Sequence, residues 1–152
     1  MKIDAVELQL KKIYTMDIKE IGEKIYGIES SHHLFCTSIG NSNIEQVAML
    51  SLDSINRILN YSTVSMGSLN TVRVSFAQLF KVALLSNASK IIVAHNHPSG
   101  ILAVTSEDIQ MTRKINFFAN TFDMELIDSI IVSGEKAISI REHCKDFNYE
   151  PL

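Results

Sequence analysis

The sequence predicts an α/β fold, a central sheet covered by helices. KIIVAH, 90–95, is a short run rich in Ile and Val, the composition of a strand buried on both faces. Residues 76–87 and 106–120 read as helices on either side of it in the chain. MELIDSIIVSG and KAISI, within 124–140, read as two closing strands with Ser133-Gly134-Glu135 as their turn. Strands that alternate with helices in this way need helices packed on a sheet.

Taken in order, AVELQLKKIYT near the start alternates like a half-buried strand. Asp17 is placed to cap IKEIGEKIYGI, where Ile18, Ile21 and Ile25 recur at helical spacing. Residues 29–44, ESSHHLFCTSIGNSNI, fit helix or strand at their apolar centre, and GNSN marks a loop. EQVAMLSL, 45–52, and RILNYSTVS, 57–65, flank Asp53-Ser54-Ile55-Asn56, a hairpin connection. Gly67-Ser68 breaks the pattern, and TVRV leads as an extended piece to Ser75. FAQLFKVALLSN, 76–87, sets Phe76, Leu79, Phe80, Ala83 and Leu84 on one face, with Ser75 as cap. REHCKDF reads as a polar C-terminal helix.

A chain of 152 residues fits one domain with a real core. Hydrophobic residues make up 46% and charged residues 20%, and no apolar run reaches membrane-spanning length. The start lacks the continuous apolar centre of a signal peptide, so a cytoplasmic protein with no membrane partner is expected. Cys36 and Cys144 lack CxxC spacing and read as free thiols, although spacing alone leaves a disulfide open. The net charge of −3, with Lys11-Lys12 and Arg113-Lys114 the densest basic spots, argues against gripping a phosphate backbone as the main activity. A weak, local DNA association stays open, as does a homo-oligomer.

The chemistry concentrates in His95-Asn96-His97-Pro98-Ser99-Gly100. Residues i and i+2 of a strand share a face, so His95 and His97 present two imidazoles side by side at a strand end. Pro98 and Gly100 turn the chain. Ten residues separate His97 from Asp108, which falls in the first turn of the next helix. Two neutral imidazoles and one carboxylate suit Zn²⁺, one ion per chain, with a fourth tetrahedral position left for water. Thr105-Ser106-Glu107-Asp108 also reads as a plain capping box, and both readings hold together if Thr105 caps while Asp108 binds metal.

His-x-His-Pro followed after ten residues by Asp resembles the JAMM signature of the JAB/MPN+ metallopeptidases. GSLNTVRV, FKVALLSNASKIIVAHNHPSG, TSEDIQMTRKI and MELIDSIIVSG, in that order, resemble the RadC family within that group. The resemblance runs from about Glu45 to about Arg141, and the HNHPSG block is its most specific part. On it, residues 1–152 read as a single RadC-like JAB/MPN domain, 1–44 being an N-terminal strand and helix segment. It implies a three-layer sandwich around a mixed sheet, related to cytidine deaminases. It also implies a glutamate on an earlier strand as general base, and EQVAMLSLD aligns Glu45 with it; Glu20, Glu23, Glu29 and Glu107 are the rivals. Where the family has serine three residues before the metal aspartate, to hold the reacting carbonyl oxygen, this chain has Thr105.

The chain departs from the family around these positions. Asp-Pro-x-Pro is replaced by Ile101-Leu102-Ala103-Val104, a greasier rim that a partner or second subunit would cover. His-Pro-Arg-Glu is replaced by Ser75-Phe76-Ala77-Gln78, and Asp-His by Asp128-Ser129. His32-His33 and His143 read as surface or loop residues without a role, and Asn96 is expected to point away from the metal and order the loop. The leading expectation is a zinc metallopeptidase or isopeptidase acting on a peptide or protein. The alternatives are a DNA-repair-associated nucleic-acid-processing protein and a non-catalytic, zinc-stabilised scaffold.

Overall fold

The computed structural model describes residues 1–18, 25, 28–65 and 76–144. In chain order the elements are α1 (Ile28–Ile39), β1 (Gln46–Leu52), β2 (Ile58–Ser65), α2 (Phe76–Leu85), β3 (Lys90–Asn96), α3 (Ser106–Thr121), β4 (Glu125–Ser133), β5 (Lys136–Ser139) and the single turn α4 (Ile140–His143). The strands form one mixed sheet in the order β2-β1-β3-β4-β5. β1 runs antiparallel to β2 and β3, β3 is parallel to β4, and β5 returns antiparallel to β4.

KIIVAH does form the central strand, and its alternation divides the core in two. Ile91 and Val93 of β3 join Val47 and Met49 of β1 on one face, under Leu79, Phe80 and Ala83 of α2 and Ile115 and Ala119 of α3. Ile92 and Ala94 join Ala48, Leu50 and Leu52 on the other, against Leu34, Phe35 and Ile39 of α1. Helices cover both faces, so the expected three-layer α/β arrangement is present. Among the described residues no helix is long and apolar enough to cross a membrane. Cys36 and Cys144 are both free, and Cys36 is buried.

The hairpin before β2 closes as expected. Asp53 Oδ1 accepts from the N–H groups of Ile55 at 2.9 Å and Arg57 at 2.8 Å, the side-chain turn that favours Asp here. The undecided apolar centre of 29–44 is helix, ending at Ile39, and the loop marked by GNSN follows it. Ser31, Leu34, Phe35 and Ile39 are all buried, a helical face that the poor helix formers Ser, His and Thr around them disguise. His32 and His33 therefore sit on α1, not on a loop, and His32 is half-buried.

Residues 1–18 form no strand, because no other segment among the described residues pairs with them. The helix expected over 18–28, TVRV, the Ser75 cap, and the rivals Glu20 and Glu23 lie outside the described residues in whole or nearly so. The C-terminal helix is shorter than REHCKDF implies, ending at His143 where Cys144 caps it.

Gly40, after α1, meets the turn between β4 and β5 at Gly134. Its carbonyl accepts from Gly134 N–H at 2.8 Å, and a Cβ there would collide with the backbone carbonyls of Gly134 and Cys36. Backbone cannot step aside as a side-chain tip can, so Gly40→Ala is expected to lower stability by about 1–3 kcal/mol. An unchanged melting temperature would show that the turn at Gly134 moves freely.

Asp128 of β4 is fully buried. Its Oδ1 accepts from Ser129 N–H at 2.7 Å and Arg141 N–H at 3.2 Å. Burial pushes its carboxyl above the usual range, outweighing the pull of Ser139, of those backbone N–H groups and of nearby His32. The folded protein thus holds this proton more tightly than the unfolded chain does. The resulting stabilisation is full at acid pH and lost as pH rises through the folded pKa. Asp128→Asn keeps the Oδ1 acceptor and removes the loss. Its melting temperature relative to the unmodified chain is expected to climb between about pH 4 and pH 8. A constant difference across that range would contradict the argument.

Candidate metal centre

His95 is the sixth residue of β3, on the face that carries Val93 and looks towards α2 and α3. His97 lies just past the strand, yet its N–H still donates to Val132 O at 2.9 Å, so the chain keeps its course and the second imidazole rises on the same face. Pro98 and Ser99 then turn the chain, and Gly100 adopts φ 81°, a left-handed conformation that suits glycine.

The turn feeds α3, whose first residues carry the carboxylate. Thr105 is the N-cap: its Oγ1 accepts from Asp108 N–H at 3.2 Å, and its own N–H donates to Asp108 Oδ2 at 2.9 Å. The capping box read from the sequence is therefore present, and it leaves Asp108 Oδ1 aimed at the histidines.

His95, His97 and Asp108 converge. His95 Nε2 is 2.8 Å from Asp108 Oδ1 and 3.2 Å from His97 Nε2, and His97 Nε2 is 3.5 Å from Asp108 Oδ2. One donor atom from each residue lies within 4.8 Å of the others. Donors about 2.0–2.2 Å from a tetrahedral Zn²⁺ stand roughly 3.3–3.5 Å apart, so these separations bracket what one small cation needs. The group is shielded, with His95 and Asp108 buried and His97 nearly so.

The charge of Asp108 and the tautomer of His97 favour the same use. Burial pushes the Asp108 carboxyl up. The hydrogen bond from His95, that from Thr105 N–H and the charge of His95 outweigh it, holding Asp108 well below the usual carboxylate range and ionised. The positive end of the α3 helix dipole acts in the same direction. His97 Nδ1 donates to Ile101 O at 2.9 Å; this fixes its proton on Nδ1 and leaves the Nε2 lone pair facing the group. The partner is a backbone carbonyl, so residue identity gave no signal of it. Of the apolar rim, Ile101 and Ala103 are exposed while Leu102 and Val104 are half-buried.

Glu45 precedes β1 and is half-buried. Val47 pairs with His95 in the antiparallel register, so continuing it two residues sets Glu45 across from His97, on the imidazole face. Glu29 opens α1 across the sheet, and Glu107 is exposed on α3. Asn96, between the histidines, points to the opposite face as expected and is fully buried. Its Oδ1 accepts from Gln46 N–H at 2.7 Å, and its Nδ2 donates to Ile44 O at 2.9 Å and Ser42 O at 3.2 Å. It thereby fastens the backbone on both sides of Glu45. His143 is exposed on α4, away from the group. Ser129 of β4, opposite Val93 and noted in the sequence where the family has His, has a buried hydroxyl, as does Thr112, one turn after Asp108, which the sequence reading did not single out.

Comparison with known proteins agrees with this geometry. A family model described as RadC-like JAB domain matches residues 25–145. A UPF0758 protein of Finegoldia magna is 34% identical over 114 residues, 75% of this chain and 51% of the relative. One from Chloroflexus aurantiacus is 35% identical over 109 residues, 72% of this chain and 48% of the relative. One from Roseiflexus castenholzii is 33% identical over 124 residues, 80% of this chain and 53% of the relative. The chain spans about half the length of these curated relatives. From the matched span, the mixed sheet and the converging His-His-Asp group, we conclude that the chain belongs to the RadC-like JAB domain family.

Proposed function

We propose that this chain is a zinc-dependent hydrolase of the JAMM type, cleaving a peptide or isopeptide bond in a peptide or protein. The observation that carries the reading is the convergence of two imidazole nitrogens and one ionised carboxylate at the spacing a tetrahedral cation requires. His95 and His97 would hold the ion through Nε2 and Asp108 through Oδ1. When bound, Zn²⁺ supplies Lewis acidity that polarises a carbonyl and brings the pKa of water from 15.7 to about 7.

The chain's own groups do the rest. Glu45, on the imidazole face, takes a proton from the attacking water and delivers it to the leaving amine. The Thr105 hydroxyl uses a lone pair to cap α3 and keeps its proton, which it donates to the oxygen that gains charge as the carbonyl is attacked. The capping box holds Asp108 Oδ2 while Oδ1 is turned to His95, so one carboxylate would serve helix and metal together. The half-buried Leu102 and Val104 restrict water at the mouth of the site.

Incubation with a peptide library and with isopeptide-linked substrates tests the reading. Cleavage is expected with zinc, abolished by a chelator and restored by added zinc. A folded, zinc-loaded chain that cleaves none of them overturns the hydrolase reading in favour of a metal-stabilised scaffold.

A further inference from the structure

The first eighteen residues carry large apolar side chains that stand in water: Val6 is 90% exposed, Leu8 73% and Ile13 80%. The segment meets the domain at its end, where Ile18 packs with Ile58 and Tyr61 against the second core. Tyr14 lies nearby, since burial and then the charge of Tyr14 push the Tyr61 phenol up against the pull of Ser38. Farther out, the Gln9 side chain donates to Glu7 Oε1 at 2.5 Å. Side chains two apart meet in this way when the chain is extended, and the opposite side then carries Val6, Leu8 and Leu10 together. A lone strand with such a face is not stable in water.

The sheet has an edge of matching character. β2 lies at one side of it, and among the described residues no strand runs along its outer flank. Its eight residues, ILNYSTVS, contain neither a charge nor Pro, the devices that keep an edge from recruiting another strand. The opposite edge, β5, is protected by its four-residue length and Lys136.

We propose that the arm of one chain, centred on Val6, Leu8 and Leu10, adds as a strand to the outer edge of β2 in a second copy, giving a two-fold dimer by reciprocal exchange. Among the described residues, each copy holds one unpaired extended segment and one unprotected edge, so two copies satisfy both and close the assembly. A foreign strand or a foreign edge would satisfy only one. Arm residues 3–14 and the eight residues of β2 bring twenty residues from each copy, at the lower end of the 20–30 per side of a stable interface. The backbone ladder supplies affinity and the alternate apolar side chains supply register.

Light scattering on the full chain, coupled to gel filtration, is expected to give a dimer. Leu8→Asp changes a side chain that the protomer leaves exposed, so it is expected to keep the near-ultraviolet dichroism of the fold while weakening dimerisation at least about 30-fold, the size of a hot-spot loss. A photo-crosslinker at position 8, in a mixture of light and isotope-labelled chains, is expected to join one chain to residues 58–65 of another. A monomeric wild type overturns the proposal, as does a dimer that Leu8→Asp leaves intact. So do cross-links within one chain, or to the apolar groove that Phe76, Phe80, Leu84, Phe118 and Phe122 line between α2 and α3.

Discussion

Purified under chelator-free conditions, the chain is expected to carry about one zinc per polypeptide, and His97→Ala to carry none. The imidazole removed has its Nε2 3.2 Å from His95 Nε2 and 3.5 Å from Asp108 Oδ2. Without it two donors remain, and these already satisfy one another through the 2.8 Å contact of His95 with Asp108. His97 lies past the end of β3, outside both cores, so the variant is expected to fold. Thermal melts separate loss of metal from loss of fold. A ligand at 100 times its Kd adds about 2.7 kcal/mol to stability, so added zinc is expected to raise the melting temperature of the unmodified chain and leave that of the variant unmoved. Elemental analysis showing a metal-free wild type would end the zinc reading.

Glu45→Gln is expected to keep its zinc and lose about 10²–10⁴-fold in kcat. The amide has the carboxylate's shape and still accepts a hydrogen bond, but it cannot take the proton of water. Retained zinc would separate a base from a ligand. Turnover equal to that of the unmodified chain would move the role elsewhere. Glu29, across the sheet on α1, and Glu107, exposed on α3, are less well placed to inherit it.

The parts of this molecule that were legible in its sequence are those where one physical signal dominates. Ile91, Ile92, Val93 and Ala94 are apolar because both faces of β3 are covered, and the i, i+2 spacing of His95 and His97 follows from that strand. Asp108 was legible twice, as the capping-box acid and as a candidate metal ligand, and both readings depend on its place in the first turn of α3. Around α1 the signal failed: Ser31, His32, His33, Thr37 and Ser38 are poor helix formers, and burial against β1, β3 and β4 fixes the helix. The arm failed differently, since its alternation promised a strand, and a strand needs a partner, yet among the described residues the arm pairs with none. Glu45 was found by resemblance to the family, because a glutamate before a strand has no local signature; the register of β1 with β3 gives an independent reason to choose it.

Asn96 ties these observations together. It stands between two proposed metal ligands and, from the far side of the sheet, holds the backbone of Ser42, Ile44 and Gln46. On the proposed function, the spacing between Glu45 and a bound cation would be set by this amide clamp together with the β1–β3 ladder. A displacement of the segment ahead of β1 would thus be felt, through these three hydrogen bonds, by the strand that carries His95.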